Sequence, residues 1–280
     1  SATPYRDVIH RWHLKKKNPE TEFSEPVKPI TWWMENTTPV EWRSTIKEAV
    51  LEWNKAFVKA GFKNAIVVKQ QPDEADWDAG DIRYNVLRWT SSPSPRYGGY
   101  GPHLANPRTG ETFASDIMLE YNIFRNSDYA TKLYGNADDE IDPYYTEESL
   151  NSENYCMLAH GMQANLHFAQ TVASTFGAND YDLNEIQKQV LKGVVMHEIG
   201  HTLGLSHNFK ASQLFTPEQL ADANYIKGKC LTASIMDYTT INVTRDRDKQ
   251  GQYDDLTIGP YDVWAIQLGY KPFKSEAERQ

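Results

Sequence analysis

His197-Glu198-Ile199-Gly200-His201-Thr202-Leu203-Gly204-Leu205-Ser206-His207 is the stretch from which the rest of the chain is read. Residues four apart on a helix share a face, so His197 and His201 can grip one ion. Gly204 can take the left-handed conformation that ends a helix, which lets the chain turn and bring His207 round as a third ligand. Three neutral imidazoles leave a fourth position for water, the donor set of a catalytic rather than a structural zinc site. Glu198 lies beside the ligands rather than among them, where a general base for that water belongs. The competing account is a buried helix with incidental histidines. A five-position pattern of this kind arises by chance with a probability on the order of 10⁻⁵ per chain.

The 280 residues suffice to bury a full core. A net charge of −9 argues against a nucleic-acid partner, because phosphate binding needs a basic surface. Lys15-Lys16-Lys17 reads as a solvated surface turn. No apolar stretch approaches the roughly 20 residues of a membrane helix, and Ser1-Ala2-Thr3-Pro4-Tyr5-Arg6 is not a signal peptide. Cys156 and Cys230 can form one disulfide or remain free and buried.

Residues 1–28, with Pro4, Pro19, Pro26 and many charges, read as an irregular N-terminal arm. Ile30 to Met34 reads as a strand. Thr38-Pro39 opens a helix that Gly61 ends, with Trp42, Ile46, Ala49, Val50, Trp53, Phe57 and Val58 as its apolar stripe. Further strands are expected at Ala65–Lys69, Asp81–Val86 and Phe113–Glu120, the last with Ile117 and Leu119 on one face. Asp73, Asp76, Asp78 and Asp81 make Ca2+ conceivable, but their spacing completes no calcium loop. Pro93 to Pro102 reads as a loop, residues 121–150 as a surface excursion, and Asn154 to Phe176 as a helix. His160 and His167 on that helix could bind a second metal, although one satisfied and one exposed histidine is the plainer account. Leu183 to Leu203 is the metal-bearing helix, with Ile186, Val190 and Val194 on its buried face.

Downstream of His207, Ser234-Ile235-Met236-Asp237-Tyr238 completes a pattern that resembles the metzincin zinc proteases. Trp53-Asn54, Ala79-Gly80-Asp81-Ile82-Arg83 and Asp262-Val263-Trp264-Ala265-Ile266-Gln267 resemble the first helix, third strand and closing helix of those domains. Trp42-Arg43, Asp81 to Asn85 and Gly259 to Trp264 are similar to runs in the bacterial group called Met-zincins. His207 is followed by Asn208, where matrixins and astacins often carry Ser or an acidic residue.

The resemblance implies an α+β fold: a twisted, mostly parallel sheet with an antiparallel edge strand, an active-site helix with backing helices, and a mainly helical or irregular C-terminal subdomain. Residues 29–280 would form the catalytic domain, its N-terminal subdomain reaching about residue 204 and its C-terminal one spanning about 205–272. It further implies one catalytic Zn2+ on His197, His201 and His207, Met236 in a methionine turn beneath them, and Asp262 supporting that turn.

Tyr238 stands where astacins and serralysins carry a fifth zinc ligand. Read from chemistry alone, its phenol can bind the metal, donate to an oxyanion, or pack as a core tyrosine. The expected activity is hydrolysis of peptide bonds in a protein or peptide substrate, with Glu198 as general base. Ile117 and Leu119 are expected on an edge strand that pairs with the substrate. The resemblance implies a secreted, periplasmic or cell-surface enzyme. Alternatives are a catalytically silent zinc-bearing module and a zinc hydrolase of a non-peptide amide.

Overall fold

Ile30–Met34 (β2) is the strand around which the main sheet assembles. Its alternate residues Ile30, Trp32 and Met34 are buried, and it pairs in parallel with both β3 (Ile66–Gln70) and β4 (Asn85–Thr90). The computed structural model describes residues 8–92, 99–121, 180–244 and 246–273, with isolated positions between 165 and 175. β4 pairs in parallel with β8 (Ile117–Glu120), and β5 (Gly99–Tyr100) closes that edge antiparallel, giving the order β3-β2-β4-β8-β5. The mostly parallel sheet with an antiparallel edge strand is therefore present, in an α+β fold.

Parallel neighbours need a crossover. Between β2 and β3 it is made by α1 (Val40–Glu52) and α2 (Asn54–Lys59), joined at Trp53, which keeps near-helical angles. Trp42, Ile46, Ala49, Val50, Trp53 and Phe57 form the buried stripe, while Val58 points outward and is 38% exposed. Gly61, at φ +89°, turns the chain out of the helix. Asn54 then holds the end of β3 in place of a neighbouring strand: Ile66 N–H donates to its Oδ1 (3.0 Å), and its Nδ2 donates to Ile66 O (2.9 Å).

The long helix α3 (Asp180–Thr202) packs along α1, and α4 (Pro260–Tyr270) packs against α2. Trp53 Nε1 donates to Met196 O (3.0 Å), tying the crossover to α3 within the core. A second, three-stranded sheet has β7 (Glu111–Ser115) at its centre, parallel to β1 (Arg11–Trp12) and antiparallel to β6 (His103–Ala105). The N-terminal arm is thus not irregular throughout, since it supplies β1.

Four expectations from the sequence are corrected. The strand expected at residues 81–86 begins only at Asn85. Asp81 instead closes a turn, accepting from Arg83 N–H on its side chain and from Tyr84 N–H on its carbonyl. The strand expected at residues 113–120 is two strands in two sheets. They divide at Asp116, whose carboxylate accepts from Val86 N–H (3.0 Å). Ile117 and Leu119 do not lie on an open sheet edge: β5 pairs along β8, and both side chains are buried in the core. The loop expected to reach Pro102 contains β5, while residues 93–98 lie outside the described residues. So do His160, His167, Cys156 and residues 122–150 of the excursion expected at 121–150. Cys230 is a free, buried thiol. Among the described residues no helix is long and apolar enough to cross a membrane.

Asp254 and Asp255 lie within this packing, 4% and 2% exposed. Asp255 is anchored by Leu231 N–H and by Thr232 Oγ1 (2.7 Å). Asp254 accepts from Asp255 N–H (2.7 Å) and turns Oδ2 towards Gly193 of α3, where it meets no donor among the described residues. Burial pushes both carboxyls up, Asp255 to about 7, and for Asp254 the neighbouring Asp255 charge adds to the effect. The folded state therefore holds these protons more tightly than the unfolded chain. The stability they contribute is fully present below about pH 4 and is lost as pH rises towards 7. Asp254→Asn keeps the acceptor for Asp255 N–H and removes one of the two titrations. Its melting temperature should fall less than the wild type's between pH 4 and 7, and superimposable pH profiles would contradict this account.

Candidate metal centre

The helix carrying the histidines is held by its apolar face, where Ile186, Val190, Leu191, Val194 and Val195 are buried. It ends as its sequence demands. Gly204 adopts φ +93°, Leu205 N–H returns to Gly200 O (3.1 Å), and Gly204 N–H returns to His201 O (3.0 Å). This paired closure is the Schellman ending that glycine permits. The chain then reverses, and Asn208 N–H donates to Met236 O (2.9 Å), fixing the segment after His207 against the turn at residues 234–238.

The structure brings three imidazoles together. His197 Nε2 is 3.1 Å from His201 Nε2, which is 3.1 Å from His207 Nε2. Nitrogens bound tetrahedrally to one zinc at 2.0–2.1 Å stand about 3.4 Å apart, so the spacing suits a single ion. The other ring nitrogens set the tautomers. His197 Nδ1 is 2.7 Å from Ile235 O, and His201 Nδ1 is 3.0 Å from Leu205 O. A carbonyl only accepts, so both Nδ1 atoms carry the proton and both Nε2 lone pairs face the centre. Burial is the first cause lowering the pKa of all three histidines: His197 falls well below its ordinary value, His201 to about 4, and His207 more modestly. Neutral imidazole is the form that binds metal. The donor set fits Zn2+.

Tyr238 joins the same group, its hydroxyl 3.0 Å from His207 Nε2 and its ring edge-on to His207 at 4.6 Å between centroids. Glu198 is buried beside the ligands. The strand end Gly99-Tyr100-Gly101 passes directly over it. A Cβ at Gly99 would lie 2.8 Å from Glu198 Oε1, and one at Gly101 would lie 3.2 Å from Oε2. These two glycines let the sheet edge approach the carboxylate, a contact invisible in the linear sequence.

Beneath the ligands, Met236 is fully buried. A Cβ at Gly200 would fall 2.3 Å from its sulfur and 3.0 Å from the Trp53 ring. The turn is held by Asp262 at the start of α4, which accepts from Ser234 Oγ (2.6 Å), Ile235 N–H (2.9 Å) and Gly259 N–H (2.8 Å). Because Ile235 O in turn orients His197, a hydrogen-bonded path runs from Asp262 to a ligand ring. Reading the motif for ligands alone passes over Gly200. The signal was there, since glycine inside a helix costs about 1 kcal/mol against alanine and needs a reason.

That reason has a testable sign. On propensity alone Gly200→Ala stabilises a helix by about 1 kcal/mol. Here it should destabilise the protein by about 1–3 kcal/mol through overpacking against Met236 and Trp53. Chemical denaturation together with the zinc content of the purified variant reads the outcome, and a more stable variant would refute the close contact.

A family model described as Met-zincin matches residues 179–280, and one described as Matrixin matches residues 108–227. No curated protein matches the chain. The two matched stretches overlap across the histidine motif and differ in what lies outside it: the Matrixin match takes in β7 and β8, and the Met-zincin match takes in the methionine turn and α4. Each match covers less than half of the chain; together with the α+β fold and the three-histidine centre, the two support a metzincin-like zinc metallopeptidase.

Proposed function

We propose that His197, His201 and His207 hold the zinc ion and that Glu198 is the general base of peptide-bond hydrolysis in protein substrates. The observation that carries this reading is the convergence of three Nε2 atoms with the Glu198 carboxylate buried beside them. A zinc ion held there supplies Lewis-acid polarisation of the scissile carbonyl and of the attacking water. Glu198 takes the water proton on a carboxylate oxygen as the new C–O bond forms, and delivers it to the amine nitrogen as the C–N bond breaks. The low-dielectric surroundings and the covering strand end keep bulk water from competing for that proton.

Tyr238 acts at the same centre through its hydroxyl, either as a further ligand or as a donor to the oxyanion of the tetrahedral species. Gly204, Met236 and Asp262 act by position: Gly204 turns the chain towards His207, and Asp262 fixes the turn that bears Met236. The boundary between an N-terminal subdomain ending near residue 204 and a C-terminal one over about 205–272 would then coincide with the catalytic cleft. We also assign the enzyme to the bacterial Met-zincin group, working outside the cytoplasm as a secreted, periplasmic or cell-surface protein. The match over residues 179–280 supports the group.

Glu198→Gln should retain one zinc per chain and lose cleavage of an unstructured protein such as gelatin by at least about a thousandfold, the loss expected when a proton carrier is removed. Unchanged turnover would sink the mechanism. Tyr238→Phe should lower kcat by about a hundredfold with a much smaller change in KM if the hydroxyl serves the transition state. Wild-type kcat in that variant would return Tyr238 to the role of a packed core residue.

A further inference from the structure

The N-terminal arm reaches the catalytic cleft. Val8, Ile9 and His10 line the same cavity as Glu198, His201 and His207. Val8 is 40% and Ile9 51% exposed, a display of two adjacent aliphatic side chains at the mouth of a polar site. The arm is fixed there. Arg11 N–H donates to Gly110 O (2.9 Å) as β1 joins β7. Trp12 Nε1 donates to Thr202 O (2.9 Å) at the end of α3, and Tyr270 hydroxyl accepts from Trp12 N–H (3.2 Å).

Two glycines receive the arm's backbone. A Cβ at Gly204 would stand 1.9 Å from His10 O, and one at Gly110 would stand 2.2 Å from Ile9 O. His10 Nδ1 lies 2.8 Å from His103 Nε2, joining the arm to β6, and both rings line the cavity. The arm is therefore built into the same rigid unit as the ligand-bearing helix end.

We propose that this arm is a wall of the substrate cleft and that Val8 and Ile9 select an apolar substrate side chain close to the scissile bond. The proposal rests on the peptidase reading given above. Pro102 and Leu205 line the same cavity, so a substrate side chain there has further aliphatic groups among its neighbours. Apart from Glu198, no acidic, lysine or arginine side chain lines the cavity among the described residues. The one carboxylate there, Glu198, is committed to the reacting water in the reading above, so a charged substrate side chain would lose its hydration without gaining a dedicated ionic partner. An apolar one loses only water-exposed surface.

The test compares cleavage-site profiles of the full chain on a denatured protein mixture, read by mass spectrometry, for wild type, Ile9→Asp, Val8→Asp and the conservative Ile9→Leu. Wild type should favour an apolar residue at one position flanking the cut, and Ile9→Leu should keep that preference. Ile9→Asp or Val8→Asp should lower kcat/KM for such sites by about tenfold or more, the range expected when a hydrophobic subsite is lost. The same variants should gain sites with Lys or Arg at that position, with zinc content and melting temperature unchanged. An active wild type whose profile is shared by both aspartate variants overturns the role of the arm alone. A zinc-loaded wild type that cleaves no protein overturns the peptidase reading, and the proposal with it.

Discussion

The contact between the Met236 sulfur and the backbone of Gly200 is the constraint from which the rest of the centre follows. A side chain at residue 200 would overlap the sulfur, and Trp53 closes the same spot from the α1–α2 junction. Three pieces of the chain far apart in sequence thus meet where only hydrogen fits: the crossover of the main sheet, the helix bearing two ligands, and the turn beneath them. Interiors packed to this density do not deform gradually. The positions of His197 and His201, on either side of Gly200, are set by how closely the turn can approach.

The turn itself is set by electrostatics rather than by apolar packing. Asp262 is buried, and its two oxygens accept three hydrogen bonds from residues 234, 235 and 259. That satisfies a carboxylate which burial alone would push towards its neutral form. The carbonyl of Ile235 is thereby aimed at His197 Nδ1, and the C-terminal turn of α3 aims Leu205 O at His201 Nδ1 in the same manner. Backbone carbonyls are suited to this task, because they can only accept and so leave each ring a single tautomer. The buried carboxylate is then a structural device acting on the metal centre at second hand.

The parts of this arrangement that were legible in the sequence are those encoded by spacing along one element. His197, His201, Gly204 and His207 lie on one helix and its ending, so helical geometry alone relates them. The Trp42 to Phe57 stripe was legible for the same reason, with Val58 misplaced because the stripe narrows where α2 begins at Asn54. What failed depends on partners far along the chain. Asp81 looks like the start of a strand until its carboxylate is seen to close a local turn. Phe113 to Glu120 looks continuous until Asp116 is seen to bond Val86 and pass the chain from one sheet to the other. Ile117 and Leu119 alternate as an edge strand should. A two-residue strand from a Gly-rich segment covers them, and nothing local announces it. The approach of Gly99 and Gly101 to Glu198, and of His10 to Gly204, spans still longer stretches of sequence.

Gly204 shows how one residue comes to carry two demands. Its φ of +93° is needed to end α3 and send the chain towards His207, and any helix ending of this type would ask for it. Its missing side chain also admits the carbonyl of His10, which a Cβ would approach to 1.9 Å. A residue such as asparagine tolerates the first demand, whereas only glycine meets the second. The arm and the third ligand are therefore mechanically joined: a shift of the arm at His10 bears on the turn that places His207. Trp12, bonded to Thr202 O two residues earlier, holds the arm against the same helix end and limits that shift. The arm supports the metal centre as well as walling its cleft, because the backbone leading to His207 has the arm as its outer packing layer.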